Sequence, residues 1–128
     1  MIPKPSVDRL AEIGKWMKRN GDAIYGTAAS PYPRPFKWGR ITQKPGKLYL
    51  LVYGWRKKLV LRGLRNKVKS AWLLAGRQAK VAFDDAHDRA EDTHKLTLSL
   101  PAKRPDRHVS VVVVEFAGKL DVDDTAEQ

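Results

Sequence analysis

The sequence predicts a mainly β protein, an antiparallel β-sandwich of about seven to eight strands with one N-terminal α-helix. Apolar residues recur with helical spacing near the N-terminus. From Gly39 onward they fall in short runs separated by glycine, proline or charged turns. The chain has 128 residues, enough for one domain that buries its own core. It has no cysteine, so neither disulfides nor zinc thiolate sites contribute.

A helix is predicted over residues 6–20. Ser6 can cap its N-terminus, and Asn20 and Gly21 supply a left-handed stop at its end. Apolar residues at i, i+3, i+4 and i+7 give the helix one stripe that must dock on a surface. That surface is either a sheet of the same chain or a separate partner. The stripe consists of Leu10, Ile13, Gly14 and Met17.

Residues 28–38 are predicted to form a connector, because their prolines remove amide donors and hold the backbone extended. The aromatic side chains of this segment need cover. They can stack against a sugar, or they can wedge between this domain and a neighbouring one, which is the interpretation we prefer. These aromatic residues are Tyr32, Phe36 and Trp38.

Two of the predicted strands are apolar on both faces, the one at 47–54 and the run from Val109 to Val114. A strand of a simple two-layer sandwich carries polar residues on its outer face. We therefore expect the helix or an absent partner to cover that face, since such strands self-associate when left exposed. The strands are predicted near 39–44, 47–54, 58–62, 67–75, 79–84, 94–100 and 108–117.

The chain divides by these patterns into three regions. Residues 1–38 are the N-terminal helix and proline-rich connector, residues 39–120 are the β-sandwich, and residues 121–128 are predicted to be a frayed acidic tail. No segment has the pattern of a signal peptide, and no apolar run is long enough to span a membrane.

The net charge is +11, and fourteen basic residues lie between Asp22 and Asp84 with no acidic residue among them. A surface of one sign attracts polyanions such as nucleic acid or sulfated glycan. We prefer the alternative of a solvated basic surface, or one that meets an acidic partner, because the basic residues are spread over several strands and turns. The candidate polyanion contacts are Arg56, Lys57, Lys58, Arg62, Arg65, Lys67 and Lys69.

The sequence predicts no catalytic residue, no metal site and no cofactor. Acid–base catalysis needs carboxyl groups set in a pocket, whereas the acidic residues gather in the polar stretch 84–92, predicted to be a solvated loop between two strands. This stretch lacks the spacing and the glycine of a calcium loop. His87, His94 and His108 are too scattered in sequence for a zinc motif.

Tryptophan can bind a sugar by stacking a ring face on a pyranose. Trp55 is the better candidate because it lies at a strand end beside Arg56, and Trp38 is another. Packing on the sandwich is the competing interpretation and the one we prefer. Trp72 is predicted to pack in the core on the same strand face as Val68.

Five segments carry a pattern that extends over most of the chain. They are Glu12–Thr27, Lys47–Trp55, Lys58–Ala75, Leu98–Ala102 and Val111–Gly118. In this order, over about residues 8–122, they resemble the last barrel helix and the C-terminal β-sandwich of family 29 α-L-fucosidases. Agreement in sequential order is much stronger than any one motif.

The resemblance implies a noncatalytic accessory domain that stabilises or orients a catalytic (β/α)8 barrel and contacts glycan weakly. The family's nucleophile aspartate and its acid/base belong to the barrel, so no residue here inherits either role. The implied partners are that barrel, or a second copy that associates through apolar strands. The family often has Trp-Pro where this chain has Trp55 and Arg56, and its members are often secreted, periplasmic or lysosomal.

Overall fold

The computed structural model describes residues 4–34, 36–75, 79–106, 109–126 and 128. Within these ranges the chain has one α-helix, one 3₁₀ turn and seven strands, so the predicted mainly β fold is confirmed. The helix α1 is Lys4–Asn20, followed by the 3₁₀ turn Gly21–Ala23. The strands are β1 (Gly39–Lys44), β2 (Lys47–Val52), β3 (Lys58–Leu64), β4 (Val68–Leu73), β5 (Ala82–Asp88), β6 (Thr93–Ser99) and β7 (Ser110–Phe116).

The helix α1 ends at Asn20, where the sequence places the stop, and begins two residues before the predicted start. The stop is not left-handed as predicted: Asn20 has a φ of −123°, and Gly21 continues the chain into the 3₁₀ turn. The predicted cap Ser6 and the stripe residue Leu10 lie outside the side chains that the structure describes. Along the described part of the stripe, Ile13 is exposed and Met17 is half-buried. No helix in the described ranges is long and apolar enough to cross a membrane.

The described strands form two antiparallel sheets. The first sheet has the order β1-β2-β7-β4 and the second has the order β3-β6-β5. Strands β1 and β2 form a hairpin closed by Pro45 and Gly46, and Gly46 adopts a φ of +79° that favours glycine. The sheets are connected by the segments that follow β2, β3, β4 and β6, as in a sandwich.

The core lies between the two sheets and is built from alternate residues of each strand. In β2, for example, Leu48, Leu50 and Val52 are buried in it. Each such side chain contributes roughly 1.5–3 kcal/mol by leaving water. The other fully buried side chains of this core are Leu59, Leu61, Leu64, Leu96, Leu98, Val112 and Val114.

The acidic stretch at 84–92 is not the loop that the sequence predicts, because its first half belongs to β5. This strand reaches Asp88 and pairs with β6 along its whole length. Carboxylates are tolerated there because β5 is an edge strand with an exposed face. The turn begins only at Arg89, and the carboxylate of Asp88 accepts a hydrogen bond from the Ala90 amide at 2.9 Å.

The acidic tail, for which the sequence predicts fraying, lies against β3 in its described part. The Asp123 amide donates to the Gly63 carbonyl at 2.7 Å, and Val122 forms a bridge with Leu64. The strand can accept the tail because its register shifts between Arg62 and Leu64, where Gly63 has a φ of +88°.

Candidate docking surface

The first sheet has an apolar face turned away from the core, here called the outer face. The register places Tyr49 beside Val113 and Leu51 beside Val111, and Trp72 of β4 flanks Val113 on the other side. The expectation that these strands are apolar on both faces therefore holds in three dimensions. The remaining outer-face residue, Leu74, donates its amide to the Val111 carbonyl at 3.0 Å.

The chain's own helix covers part of the outer face. Trp16 of α1 packs against it and donates its indole N–H to the Val109 carbonyl at 2.7 Å. Ala23 of the 3₁₀ turn is also buried there, and its carbonyl accepts a hydrogen bond from the Thr42 hydroxyl at 2.5 Å. With this cover Tyr49 is only 4% exposed, and burial, followed by the charge of Asp22, raises the pKa of its phenol.

A buried polar cluster fixes the end of α1 to the segment before β7. Asp106, which is 5% exposed, accepts hydrogen bonds from the guanidinium of Arg19 and, at 3.0 Å, from the side-chain amide of Asn20. The Asp106 amide donates to the Ser110 hydroxyl at 3.0 Å. Because these groups join positions far apart in the sequence, they set the position of the helix on the sheet.

A groove remains open between α1 and the outer face. It has a volume of about 460 Å³, and its floor is formed by Ile13, Trp16, Leu51 and Val109. Ile13 is 58% exposed, and Tyr53, which follows β2 on the side of Leu51, is 47% exposed. An apolar groove of this size with a polar rim is typical of a surface that binds a partner or ligand. Its rim consists of Glu12, Lys15, Arg19 and Asp106.

The aromatic residues of the connector do not form the predicted contact surface. Tyr32, Phe36 and Trp38 are 4–6% exposed and belong to the core between the sheets. Phe36 packs edge-on against Tyr32 at 5.3 Å and stacks on Trp38 at 4.7 Å between ring centroids. This burial leaves little of the three rings exposed to a sugar or a neighbouring domain.

Burial also affects the Tyr32 hydroxyl. It has no hydrogen-bond partner among the described residues, and burial raises the pKa of the phenol well above its usual range. This group is therefore an uncompensated polar atom within the core.

The other two tryptophans have different environments. Trp55 is half-buried against the core, and its indole N–H donates to the Pro101 carbonyl at 2.9 Å. Trp72 lies on the outer face, not in the core as predicted, because the register of β4 shifts between Val68 and Ser70. The shift turns Val68 into the core while Trp72 faces outward with Lys47, whose ammonium lies 5.8 Å from the ring centroid.

The structure divides the predicted polyanion contacts between the two ends of the sandwich. Three of them lie where β2 leads into β3, and the others lie toward the end of β3 and the start of β4. Within the second group, Arg65 pairs with Asp121 at 3.4 Å. Arg77, part of the acid-free region, is outside the described residues. The first group is Arg56, Lys57 and Lys58, and the second is Arg62, Arg65, Lys67 and Lys69.

The histidines and acids of the β5–β6 hairpin form two hydrogen-bonded pairs. His94 lies 2.6 Å from Asp85, His87 lies 2.9 Å from Asp92, and the two imidazole centroids are 4.7 Å apart. Two histidines seven positions apart thus meet as cross-strand partners of the hairpin. Among the described residues no group of three or more ligands could hold a metal ion. His108 is outside them.

Sequence reasoning missed the two residues that shape the groove, Trp16 and Asp106. Trp16 follows Ile13 by three positions and so widens the apolar stripe, which is a signal that the sequence contains. Asp106 gives no such signal, because an aspartate between basic residues looks like an exposed loop residue until the fold brings Arg19 and Asn20 to it.

Comparison with known proteins finds relatives among solved structures. No family model matches the sequence, and no curated protein is significantly similar to it. The crystal structure of an α-L-fucosidase from Vibrio sp. strain EJY3 matches 95% of this chain and 22% of that chain, with 32% identity and a TM-score of 0.83. α-L-Fucosidase isoenzyme 1 from Paenibacillus thiaminolyticus matches 91% of this chain and 28% of that chain, with 36% identity and a TM-score of 0.74.

A family 29 fucosidase from Bacteroides thetaiotaomicron has the same fold at 20% identity, with a TM-score of 0.71 over 91% of this chain and 25% of that chain. The chain thus spans about a quarter of the length of the fucosidases it matches. The match lies in the part of these enzymes outside the catalytic barrel.

Proposed function

We propose that this chain, which matches one part of the family 29 α-L-fucosidases in sequence and fold, is an accessory domain that packs on a catalytic barrel. The observation that carries the proposal is the match itself, because it covers 95% of this chain and only 22% of the Vibrio enzyme. A domain that makes up a quarter of a larger enzyme needs a surface that contacts the rest of that enzyme. The groove beside α1 supplies a surface with that character.

We place the barrel contact at the groove for two physical reasons. Ile13 is a large apolar side chain exposed on a helix whose neighbour Trp16 is already packed, so further cover of this site removes apolar surface from water. The cluster around Asp106 holds α1 in place, so the groove is preformed. A preformed surface loses little conformational entropy when a partner binds.

The chemistry of fucoside hydrolysis is proposed to reside in the partner. Retaining hydrolysis needs two carboxyl groups about 5–5.5 Å apart. The described carboxylate most enclosed at the groove, Asp106, already accepts hydrogen bonds from Arg19 and Asn20 and is therefore not free to act as a nucleophile. The purified chain should release no fucose from an aryl α-L-fucoside.

A chimera tests the docking. The segment of the Vibrio fucosidase that matches this chain is replaced by this chain, and the enzyme with that segment deleted is the baseline. The chimera should retain fucosidase activity and unfold at a higher temperature than the deletion. In the chimera, Ile13→Glu should lower the unfolding temperature by several degrees, because it buries a charge at the contact. Ala86→Glu is the matched control, since Ala86 is exposed on the second sheet.

Two results would contradict docking at the groove. One is a chimera no more stable than the enzyme that lacks the segment. The other is an equal effect of Ile13→Glu and Ala86→Glu. Turnover by the isolated chain that a fucose-mimicking inhibitor blocks would refute the noncatalytic role.

The second candidate function is binding of a polyanion or of glycan by the chain itself. It is favoured by the net charge of +11 together with the small number of compensated cations: of the lysines and arginines in the described part of the chain, only Arg19 and Arg65 pair with carboxylates. Uncompensated cations on a surface attract polyanions, and each neutralised charge releases counterions. Trp55, half-buried beside Arg56, is the candidate for weak glycan contact.

A further inference from the structure

We infer that one end of the sandwich is a binding site for sulfated polysaccharide. This loop end is formed by residues 53–58, which run from the end of β2 to the first residue of β3, and by residues 99–106, which run on from the last residue of β6. The inference rests on the second candidate function and gives it a location and a ligand class. The basic residues that carry it do not line the groove.

The two segments are held together by hydrogen bonds between them. The Leu100 amide donates to the Lys57 carbonyl at 2.8 Å, and the Lys58 ammonium donates to the Ser99 hydroxyl at 2.8 Å. Residues that are more than 40 positions apart in the sequence thus share one surface. Because the backbone contacts fix the surface, its charges are arranged before any ligand arrives.

The loop end carries exposed positive charge without a matching carboxylate. Neither of its segments contains an acidic residue before Asp106, and Asp106 is buried and paired with Arg19. In the described ranges no side chain of the basic group forms an ion pair. Such a group attracts repeated negative charges. The group consists of Arg56, Lys57, Lys58, Lys103 and Arg104, all exposed.

Aromatic rings lie among these charges. Trp55 is half-buried, and its bond to the Pro101 carbonyl fixes the orientation of the indole. Tyr53, two positions earlier, is 47% exposed. A fixed aromatic ring bordered by guanidinium and ammonium groups suits a sugar ring that carries sulfates, since the ring contacts the pyranose and the cations bond the sulfate oxygens.

The same charges attract nucleic acid, but the shape of the loop end favours sulfated glycan. Duplex recognition requires a helix or ribbon that enters a groove, and the described segments of the loop end are short connections. Binding of single strands requires aromatic platforms on which successive bases stack. The loop end offers two rings, Tyr53 and the half-buried Trp55, which is enough for one sugar but too few for a run of stacked bases.

Binding of heparin, the sulfated probe, tests the inference with the full chain by calorimetry at several NaCl concentrations. N- and O-desulfated heparin and a single-stranded RNA are compared under the same conditions. Replacing four basic residues of the loop end by glutamine should weaken heparin binding at least tenfold. The control removes the same charge from the other end, where β4 begins and β5 turns into β6, and should weaken binding less than threefold. The variants are R56Q/K57Q/K103Q/R104Q and, as control, K67Q/K69Q/R89Q/K95Q.

The outcomes are distinct. Heparin binding lost in the loop-end variant and absent for desulfated heparin supports the site. Equal loss of heparin binding in both variants overturns the location of the site but not polyanion binding by the chain. No binding of heparin by the wild-type chain at low salt overturns both the site and polyanion binding. RNA bound more tightly than heparin through the same four residues overturns the ligand class.

Discussion

Tyr32 has a different role in the structure from the one that the sequence predicts. In the sequence it is an aromatic residue on a proline-rich connector, where a contact role is reasonable. In the structure its ring is covered by Phe36 and its hydroxyl has no described partner. An unpaired buried hydroxyl costs stability, so the residue is tolerated for its ring and not for its oxygen.

Tyr32→Phe should therefore stabilise the chain by about 1 kcal/mol at pH 7. Because burial raises the folded-state pKa of Tyr32 above the unfolded value of about 10, the unfolded chain ionises first as the pH rises. Ionisation of Tyr32 therefore leaves the free energy of unfolding unchanged below about pH 10 and lowers it above that pH. The variant lacks this decrease because phenylalanine does not ionise. Urea unfolding of both proteins at pH 7 and pH 10.8 measures the difference. An advantage of the variant that does not grow between the two pH values would contradict this account.

At the scale of elements, the strands follow the sequence closely, and the exceptions have local causes. Strand β1 has its predicted bounds, 39–44, and β2 lies within the range predicted for it, 47–54. The bulge in β4 moved Trp72 to the outer face, which a strict alternation cannot foresee. The acids of β5 looked like a loop because edge strands accept polar residues that a central strand would not.

The contact between the tail and β3 gives a prediction for Gly63. A Cβ at this position would lie 2.7 Å from the Cβ of Ala126 and 2.8 Å from the Asp123 carbonyl oxygen, on a backbone with a φ of +88°. Gly63→Ala should cost about 2–4 kcal/mol, from a left-handed residue and a displaced tail. In a chain that lacks residues 121–128, the same substitution should cost only about 1–2 kcal/mol. Equal costs in the two backgrounds, measured by urea unfolding, would show that the tail does not pack there.

At the scale of the whole molecule, charge and apolar surface oppose each other. A net charge of +11 keeps copies apart, while the groove at Ile13 offers apolar surface to any partner. The balance between these forces depends on salt, because ions screen the repulsion and leave the apolar attraction in place.

The isolated chain should therefore associate more strongly in 1 M than in 0.1 M NaCl, as measured by sedimentation velocity. Screening lengths fall from about 10 Å to about 3 Å over this range. Ile13→Glu should suppress the association at high salt, whereas Ala86→Glu, which makes the same charge change on the other sheet, should not. Association that both variants suppress equally would point to charge alone.

The sequence by itself determined the fold class, the order of the strands along the chain and the two-sided apolar character of β2 and β7. These follow from alternation and turn residues, which act over a few positions. The tertiary structure alone decided which residues meet. Trp16 reaches Val109 across 93 positions of sequence, and Lys58 reaches Ser99 across 41. The groove and the loop end both arise from such contacts, because packing between distant segments selects which side chains are buried and which stay exposed.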